Sequence, residues 1–596
     1  MSVLPLHSEL PINETWDLNL LYADINDWEN DFNSLESLVT EFNSYRGKLA
    51  QSPEVLAEAF QKSDKLYRHA EKIYCYAHLK ADENTADSKN RARLGMIESK
   101  FAEISGSTSW FEPEFMSINE QTITYFLNSE KLAFYRKSIE ELLRERAHVL
   151  SEKEERLLGL GSDAMNSAGK IFSTLNNADL TFPEINDEDK HKTELTHGNY
   201  IRFMESGNRT VRKRAFTTMF DTYKKYRNTM AATLDGTVKR HVFNAKIRNF
   251  PSALEASLFS DNIPVSVYNN LIGAVHDKLP HLHHYLKIRQ KALKIRKMDM
   301  FDIYNPLVPN YRKEVNFEQA AEWVKAALLP LGNEYQSILE KAFNDRWIDI
   351  RECKGKRSGA YSSGCYDSVP YILLNYNNTL NDVFTLAHEL GHSMHSYYSN
   401  HAQDYHYANY SIFVAEVAST TNEILLHEYL MKQNSDSDWQ TYLLCHLADG
   451  IRGTIYRQTM FAEFEKHIHE LGEKSVTLTA DQLCQDYYKL NQKYFGTVIN
   501  ADRRIEMEWA RIPHFYYNFY VYKYATGMSA AIRLSQNILE QGNDGLQPYL
   551  GFLRAGDSKD VLDIMKDAGV DLTTPEPIHA ALDKFAETVC ELETKL

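Results

Sequence analysis

Thr385-Leu386-Ala387-His388-Glu389-Leu390-Gly391-His392-Ser393-Met394-His395 is the stretch on which the reading of this chain turns. His388 and His392 are four apart, so on a helix they stand on one face, about a turn from each other. Two imidazoles so placed can reach one tetrahedral metal ion, and Glu389 lies beside them where it can take a proton from metal-bound water. Capping chemistry predicts the helix. Thr379 opens Thr379-Leu380-Asn381-Asp382, an approximate capping box with Asp in place of Glu, and the apolar run Val383, Phe384, Leu386, Ala387 and Leu390 follows.

With 22 histidines in 596 residues, a His-Glu-x-x-His match arises by composition in roughly one such chain in twenty, so a third ligand has to decide. The segment Ser411-Ile412-Phe413-Val414-Ala415-Glu416-Val417-Ala418-Ser419-Thr420-Thr421-Asn422-Glu423 has a helical pattern and carries Glu416 in an apolar, small-residue run. A carboxylate on such a face needs a partner, because burying a lone charge is costly, and a zinc ion would be that partner. The alternative pattern with a third histidine on an extended motif requires Gly where His395 stands and His where Tyr398 stands, and fails. His395 is one turn beyond His392, but three successive ligands on one helix strain a tetrahedron, so it reads as a packing residue or a partner of a ligand. Glu423, two turns beyond Glu416, is a candidate acceptor to fix a ligand imidazole.

The run Gly359-Ala360-Tyr361-Ser362-Ser363-Gly364 through Pro370-Tyr371-Ile372-Leu373-Leu374-Asn375, the His-Glu-x-x-His helix, and Ala415 to Glu423 together resemble the oligoendopeptidase F branch of the thimet oligopeptidase family. Glu14-Thr15-Trp16-Asp17-Leu18 and Ile512-Pro513-His514-Phe515-Tyr516-Tyr517 fit as well, so the likeness covers almost the whole chain. The resemblance implies a zinc metalloendopeptidase that cleaves internal bonds of short peptides. Its implied fold is mainly α: large, helical and two-lobed, enclosing a substrate channel, with a small β-sheet next to the zinc helix. It implies one Zn2+ per chain on His388, His392 and Glu416, with Glu389 as general base. On the same footing residues 1–110 are expected to form an N-terminal helical lobe, 111–200 an oligoendopeptidase-F-type region with a small hairpin, and 201–596 the catalytic domain.

Composition agrees. Gly (25) and Pro (16) are scarce, which favours long helices over a turn-rich β fold. A formal charge of −16 gives no reason to expect nucleic acid or an acidic membrane surface as partner. Cys75, Cys353, Cys365, Cys445, Cys484 and Cys590 are scattered with no Cys-x-x-Cys pair, which predicts reduced thiols. Met1-Ser2-Val3-Leu4-Pro5-Leu6-His7 has no basic region followed by a long apolar core, and no run approaches the length needed to span a bilayer. The expectation is a soluble, cytoplasmic protein, monomeric or a small homo-oligomer, whose partners are short peptides.

Along the chain, Pro53 behind Ser52 predicts a helix to about Leu79 with Leu56, Phe60, Tyr67 and Ala70 on one stripe; Leu94, Ile97, Phe101 and Ile104 mark a second, antiparallel to it. Leu180 to Pro183 and Thr193 to Thr196, separated by Asn186-Asp187-Glu188-Asp189, suggest a small exposed hairpin. Thr210-Val211-Arg212-Lys213-Arg214 reads as a basic helix surface, since aromatic interleaving is absent. Ile348 to Ile350, Ser358 to Tyr361 and Pro370 to Asn375 read as strands, and an edge strand there would bind a peptide by strand addition.

His514-Phe515-Tyr516-Tyr517-Asn518-Phe519-Tyr520-Val521-Tyr522-Lys523-Tyr524 concentrates phenols beside a histidine. By the family resemblance this region supplies a histidine and a tyrosine that stabilise the developing oxyanion. His514 is the histidine; Tyr522 is the first choice for the tyrosine and Tyr520 the second. The expected reaction is attack on the scissile carbonyl by a zinc-held water whose proton Glu389 takes and passes to the leaving amine. An exopeptidase on the same site, or a silent peptide-binding protein, stays open at this stage.

Overall fold

The computed structural model describes residues 4–308, 311 and 313–596; Met1, Ser2 and Val3, the start of the stretch read as lacking a leader, lie outside them. Helices dominate, and among the described residues the named strands are five: β1 (Glu184–Asn186), β2 (Lys192–Glu194), β3 (Ile348–Asp349), β4 (Tyr361–Ser363) and β5 (Tyr371–Leu373). The mainly α class and the small sheet before the His-Glu-x-x-His helix are as the sequence predicts. Among the described residues no helix is long and apolar enough to cross a membrane.

The chain divides into two compact units. One comprises Met1–Val149, Arg312–Tyr429 and Leu534–Gly569. In it α1 (Pro53–Glu83) starts with Ser52 Oγ accepting from the Val55 N–H at 3.3 Å and with proline in the first turn. It packs against α2 (Ser88–Thr108), and the stripe predicted from spacing is its inner face: Leu56, Phe60 and Ala70 are buried. Trp28, Phe115, Tyr135, Tyr371 and Leu373 complete that core. α1 runs four residues past the predicted end, to Glu83, before Asn84 turns extended.

In the same unit β5 lies central, parallel to β3 and antiparallel to β4. β4 begins where the sequence pattern had a strand ending, at Tyr361, because Gly359 adopts φ +90°, a turn conformation that fits no strand. The long helix α3 (Leu380–Ala402) packs beside this sheet. Its capping box is realised in full. The Asp382 N–H donates to Thr379 Oγ1 at 3.2 Å, and the Thr379 N–H donates back to the Asp382 carboxylate at 2.9 Å. Helix α4 (Ala415–Gln433) follows after a connection that includes the helical turn Tyr405–Ala408.

The second unit comprises Leu150–Tyr311, Leu430–Arg533 and Val570–Leu596. Helices Arg209–Lys225, Arg227–Ile247, Arg457–Glu473 and Ala480–Phe495 build its core around Phe220, Phe464 and Tyr487. The hairpin exists, but its strands are Glu184–Asn186 and Lys192–Glu194, shifted inward from the predicted limits. Leu180 and Phe182 are instead buried, and Pro183 has no N–H to give a ladder. The basic run also differs from its reading as a surface. Arg212 is 1% exposed and its guanidinium meets the fully buried Asp302 at 2.8 Å.

Candidate metal centre

α3 carries His388, Glu389 and His392, and the first turn of α4 carries Glu416. His388 Nε2 and His392 Nε2 are 3.2 Å apart, and Glu416 Oε2 lies 3.3 Å from the first and 3.4 Å from the second. Metal–ligand bonds of about 2.0–2.2 Å at tetrahedral angles place neighbouring donors about 3.3–3.5 Å apart. The triangle has that edge. Among the described residues it is the one group of three His, Cys, Asp or Glu side chains whose ligand atoms gather within 4.8 Å of one another.

Two imidazole lone pairs and a carboxylate turned on one another are stable only around a positive charge. A proton shows how strongly the cluster demands one. Burial disfavours the imidazolium of His388, yet its hydrogen bonds with Glu416 and Glu423 prevail and push its pKa up to about 10. The hydrogen bonds from His388 and His392 hold Glu416 far below the usual carboxylate range. His388 Nδ1 meets Glu423 Oε1 at 2.6 Å; with Nδ1–H donating to that carboxylate, Nε2 is the nitrogen left to hold a metal in place of a proton. Glu423 thus does what its position two turns beyond Glu416 suggested.

Glu389 is 7% exposed, and burial raises its pKa. Ser362 in β4 lies beside it. The same strand is tied to α3 by Ser362 Oγ, 2.8 Å from Ser393 Oγ, which also donates to the Glu389 carbonyl at 3.0 Å. β4 is an edge of its sheet, so the base sits beside backbone groups open to a further strand.

Two residues that build this centre had not been singled out from the sequence. Gly391 faces α4 so closely that a Cβ on it would stand 2.5 Å from Ser419 Cα and 2.7 Å from the Ala418 carbonyl oxygen. Asn422, wholly buried, donates to the Ala387 carbonyl at 3.1 Å and accepts from the Tyr335 hydroxyl at 3.0 Å, strapping the helices together. The signal for the first was available: a glycine between two ligands of a helix costs about 1 kcal/mol against alanine and needs a reason. His395 is no ligand. It is 1% exposed, stacked 3.6 Å from the Tyr410 ring, and burial lowers its pKa to about 3.

The residues of the late aromatic stretch lie in the second unit. His514 stands in the 3-10 turn Pro513–Tyr516, half-buried. Its Nε2 is 3.5 Å from the Tyr524 hydroxyl, and its ring lies nearly parallel to that of Tyr520 at 6.2 Å. Asn518 and Phe519 take positive φ, +53° and +61°, and the buried Glu465 carboxylate holds the Phe519 N–H at 2.7 Å. That fixed turn separates the tyrosines. Tyr522, the first choice as a donor, is 1% exposed with its ring 5.2 Å from Tyr268, whereas Tyr520 and Tyr524 remain half-exposed beside His514. A helical start at Tyr522 turns its side chain inward, which an alternating tyrosine pattern does not reveal.

Comparison with known proteins follows the same lines. The profile of Peptidase family M3 matches residues 202–584, and that of Oligopeptidase F matches residues 114–182. Oligopeptidase PepF of Bacillus subtilis (strain 168) is 46% identical over 594 residues, 100% of this chain and 89% of that protein. A crystal structure of oligoendopeptidase-F from Enterococcus faecium is 38% identical with a TM-score of 0.74, covering 96% of this chain and 99% of that one. A solved structure from Chlamydophila abortus is 36% identical with a TM-score of 0.93, over 100% of both chains.

Proposed function

The chain belongs to peptidase family M3, and from that premise we propose that it is a zinc-dependent endopeptidase of short peptides, with His388, His392 and Glu416 as metal ligands and Glu389 as general base. The observation that carries this reading is the triangle of donors with the Glu389 carboxyl adjoining it. Two imidazoles and one carboxylate suit zinc by softness and number, with a fourth position left for water or substrate. Bound there, the ion would polarise a peptide carbonyl and lower the pKa of a water to about 7.

The protein's own side chains account for the remaining steps. A peptide pairs with the open edge of β4 through main-chain hydrogen bonds, which do not read side-chain identity and so give broad specificity. Glu389, pushed upward by burial, accepts the proton of the attacking water and returns it to the leaving amine. His514 and Tyr520 are the proposed donors to the oxyanion, on the strength of the family resemblance and their exposure; Tyr522 is set aside for its burial. Residues 201–596 form the catalytic portion in this reading, which the match to residues 202–584 supports. Cytoplasmic residence belongs to it as well, supported by the six free thiols.

Mass spectrometry of products from peptides blocked at both ends tests the proposal. The protein with zinc should cut them internally, and a chelator should stop it. Glu389→Gln should retain one zinc per chain and lose about 10²–10⁴ in turnover. Terminal trimming of unblocked peptides alone would make it an exopeptidase, and zinc binding with no cleavage of any peptide would make it a binding protein.

A further inference from the structure

The C-terminal end of β4 opens into a cavity of about 200 Å3 between that strand, α1 and the segment that follows α3. Ser363, the last residue of the strand, and Gly364 form one wall. Its charge is one-sided. Among the described residues that line it stands a single carboxylate, Glu71, with the rings of Tyr74, Tyr366, Tyr405 and Tyr410, and neither Lys, Arg nor His. The Tyr405 ring stands beside Glu71 in the lining, and no cation among the described residues pairs with that carboxylate. Tyrosine rings beside one carboxylate that has no ion pair among the described residues are the chemistry of an ammonium site; Arg68 lies 4.5 Å over the Tyr366 ring, and His395 and His78 stack on Tyr410 and Tyr74, so a cation in the cavity meets only the ring surface these neighbours leave.

The cavity sits where an edge-bound peptide would lead. Ser362, one residue from the cavity wall, is linked to the Glu389 backbone through Ser393, and an extended chain advances about 3.3 Å per residue. A peptide lying along β4 with its reacting bond at Glu389 therefore reaches the cavity within a few residues. Its carboxyl end would meet Glu71 as a like charge; its amino end meets it as a counter-ion. Resting on the peptidase reading above, we propose that this cavity seats the α-ammonium group of the substrate, with Glu71 as the specificity-determining residue, so that peptides bind antiparallel to β4 and are cut at a fixed distance from their amino terminus. The tyrosine rings line the rest of the cavity, and the small volume admits one terminal residue rather than a continuing chain.

The test uses the zinc-loaded full chain and a length series of peptides, each prepared free and N-acetylated. Acetylation should raise KM on the order of tenfold at unchanged kcat. Free peptides should share one cleavage distance from the amino end. In Glu71→Gln the acetylation effect should vanish and the cut positions scatter, while Glu71→Asp should recover part of both. Equal acetylation effects in wild type and Glu71→Gln would overturn the proposal. So would recovery of acetylated peptides by a lysine placed near the terminus, which would assign the site to a basic side chain. Calorimetric binding of the same pairs to Glu389→Gln, with and without Glu71→Gln, gives a readout independent of turnover. A preference for the free amine there, lost with Glu71, supports the ammonium site even where no peptide is cleaved, the case in which only the peptidase reading fails; equal affinities overturn that site alone.

Discussion

Gly391 and Ser419 bring two helices into backbone contact: a Cβ on Gly391 would stand 2.5 Å from Ser419 Cα. Helix axes usually lie 8–10 Å apart with side chains between them. Here α3 offers no side chain at the crossing, and that closeness sets Glu416 Oε2 within 3.4 Å of both imidazoles.

Gly391→Ala should therefore act on the metal before it acts on the fold. The backbone of Ser419 cannot rotate away as a flexible side chain would, so α4 must shift, at a cost of about 1–3 kcal/mol for overpacking. Zinc affinity, measured by competition with a chromophoric chelator, should fall by about tenfold or more, with helical content by circular dichroism unchanged. Unaltered affinity would show that the helices have slack the structure does not display.

Glu423→Ala should weaken zinc binding through a different route. Glu423 touches His388 Nδ1 at 2.6 Å and fixes which nitrogen faces the cluster. Losing such a partner costs about 10–100-fold in metal affinity. Glu423→Gln keeps an acceptor oxygen without the charge and should fall between wild type and alanine. If both variants bind zinc as tightly as wild type, the hydrogen bond only fills space.

How much of this was legible in the chain can be seen residue by residue. His388, His392 and Glu416 stood out because ligand spacing on a helix is set by its period, and Thr379 and Asp382 because a capping box is local chemistry. Gly391 and Asn422 did not, since their partners come from the neighbouring helix and no local pattern names a partner. Arg212 was read as surface from a run of like charges; its partner Asp302 lies ninety residues away. Tyr522 went inward because the helix begins at that residue, and element boundaries are where patterns say least.

Stability should carry a mark of His7. His7 Nε2 meets Asp349 Oδ2 at 2.6 Å, and Lys356 Nζ meets the other oxygen at 2.5 Å. Burial disfavours the imidazolium, but the hydrogen bond and charge of Asp349 outweigh it, so its pKa stands above the ordinary 6.5. A raised histidine gives its full contribution below 6.5 and loses it as pH rises through the raised value. Asp349 is held low and stays ionised throughout. Stability in wild type should therefore decline as pH rises above 6.5, modestly because His7 is partly exposed. His7→Gln should flatten that decline, and an unchanged slope would assign it to other groups.

Tyr520→Phe and Tyr522→Phe should separate a donor from a packed ring. Tyr520 is half-exposed beside His514, and losing its hydroxyl should lower kcat with KM nearly unchanged, by up to about 10²–10³ if it donates to the oxyanion. Tyr522 is 1% exposed against Tyr268, so removing its hydroxyl should leave kcat within about twofold and change the melting temperature instead. Kinetics on one blocked peptide and a thermal melt of each variant decide between them. A large loss of kcat in Tyr522→Phe, with Tyr520→Phe unaffected, would restore Tyr522 as the donor and require that the start of its helix, at Tyr522, opens to expose it.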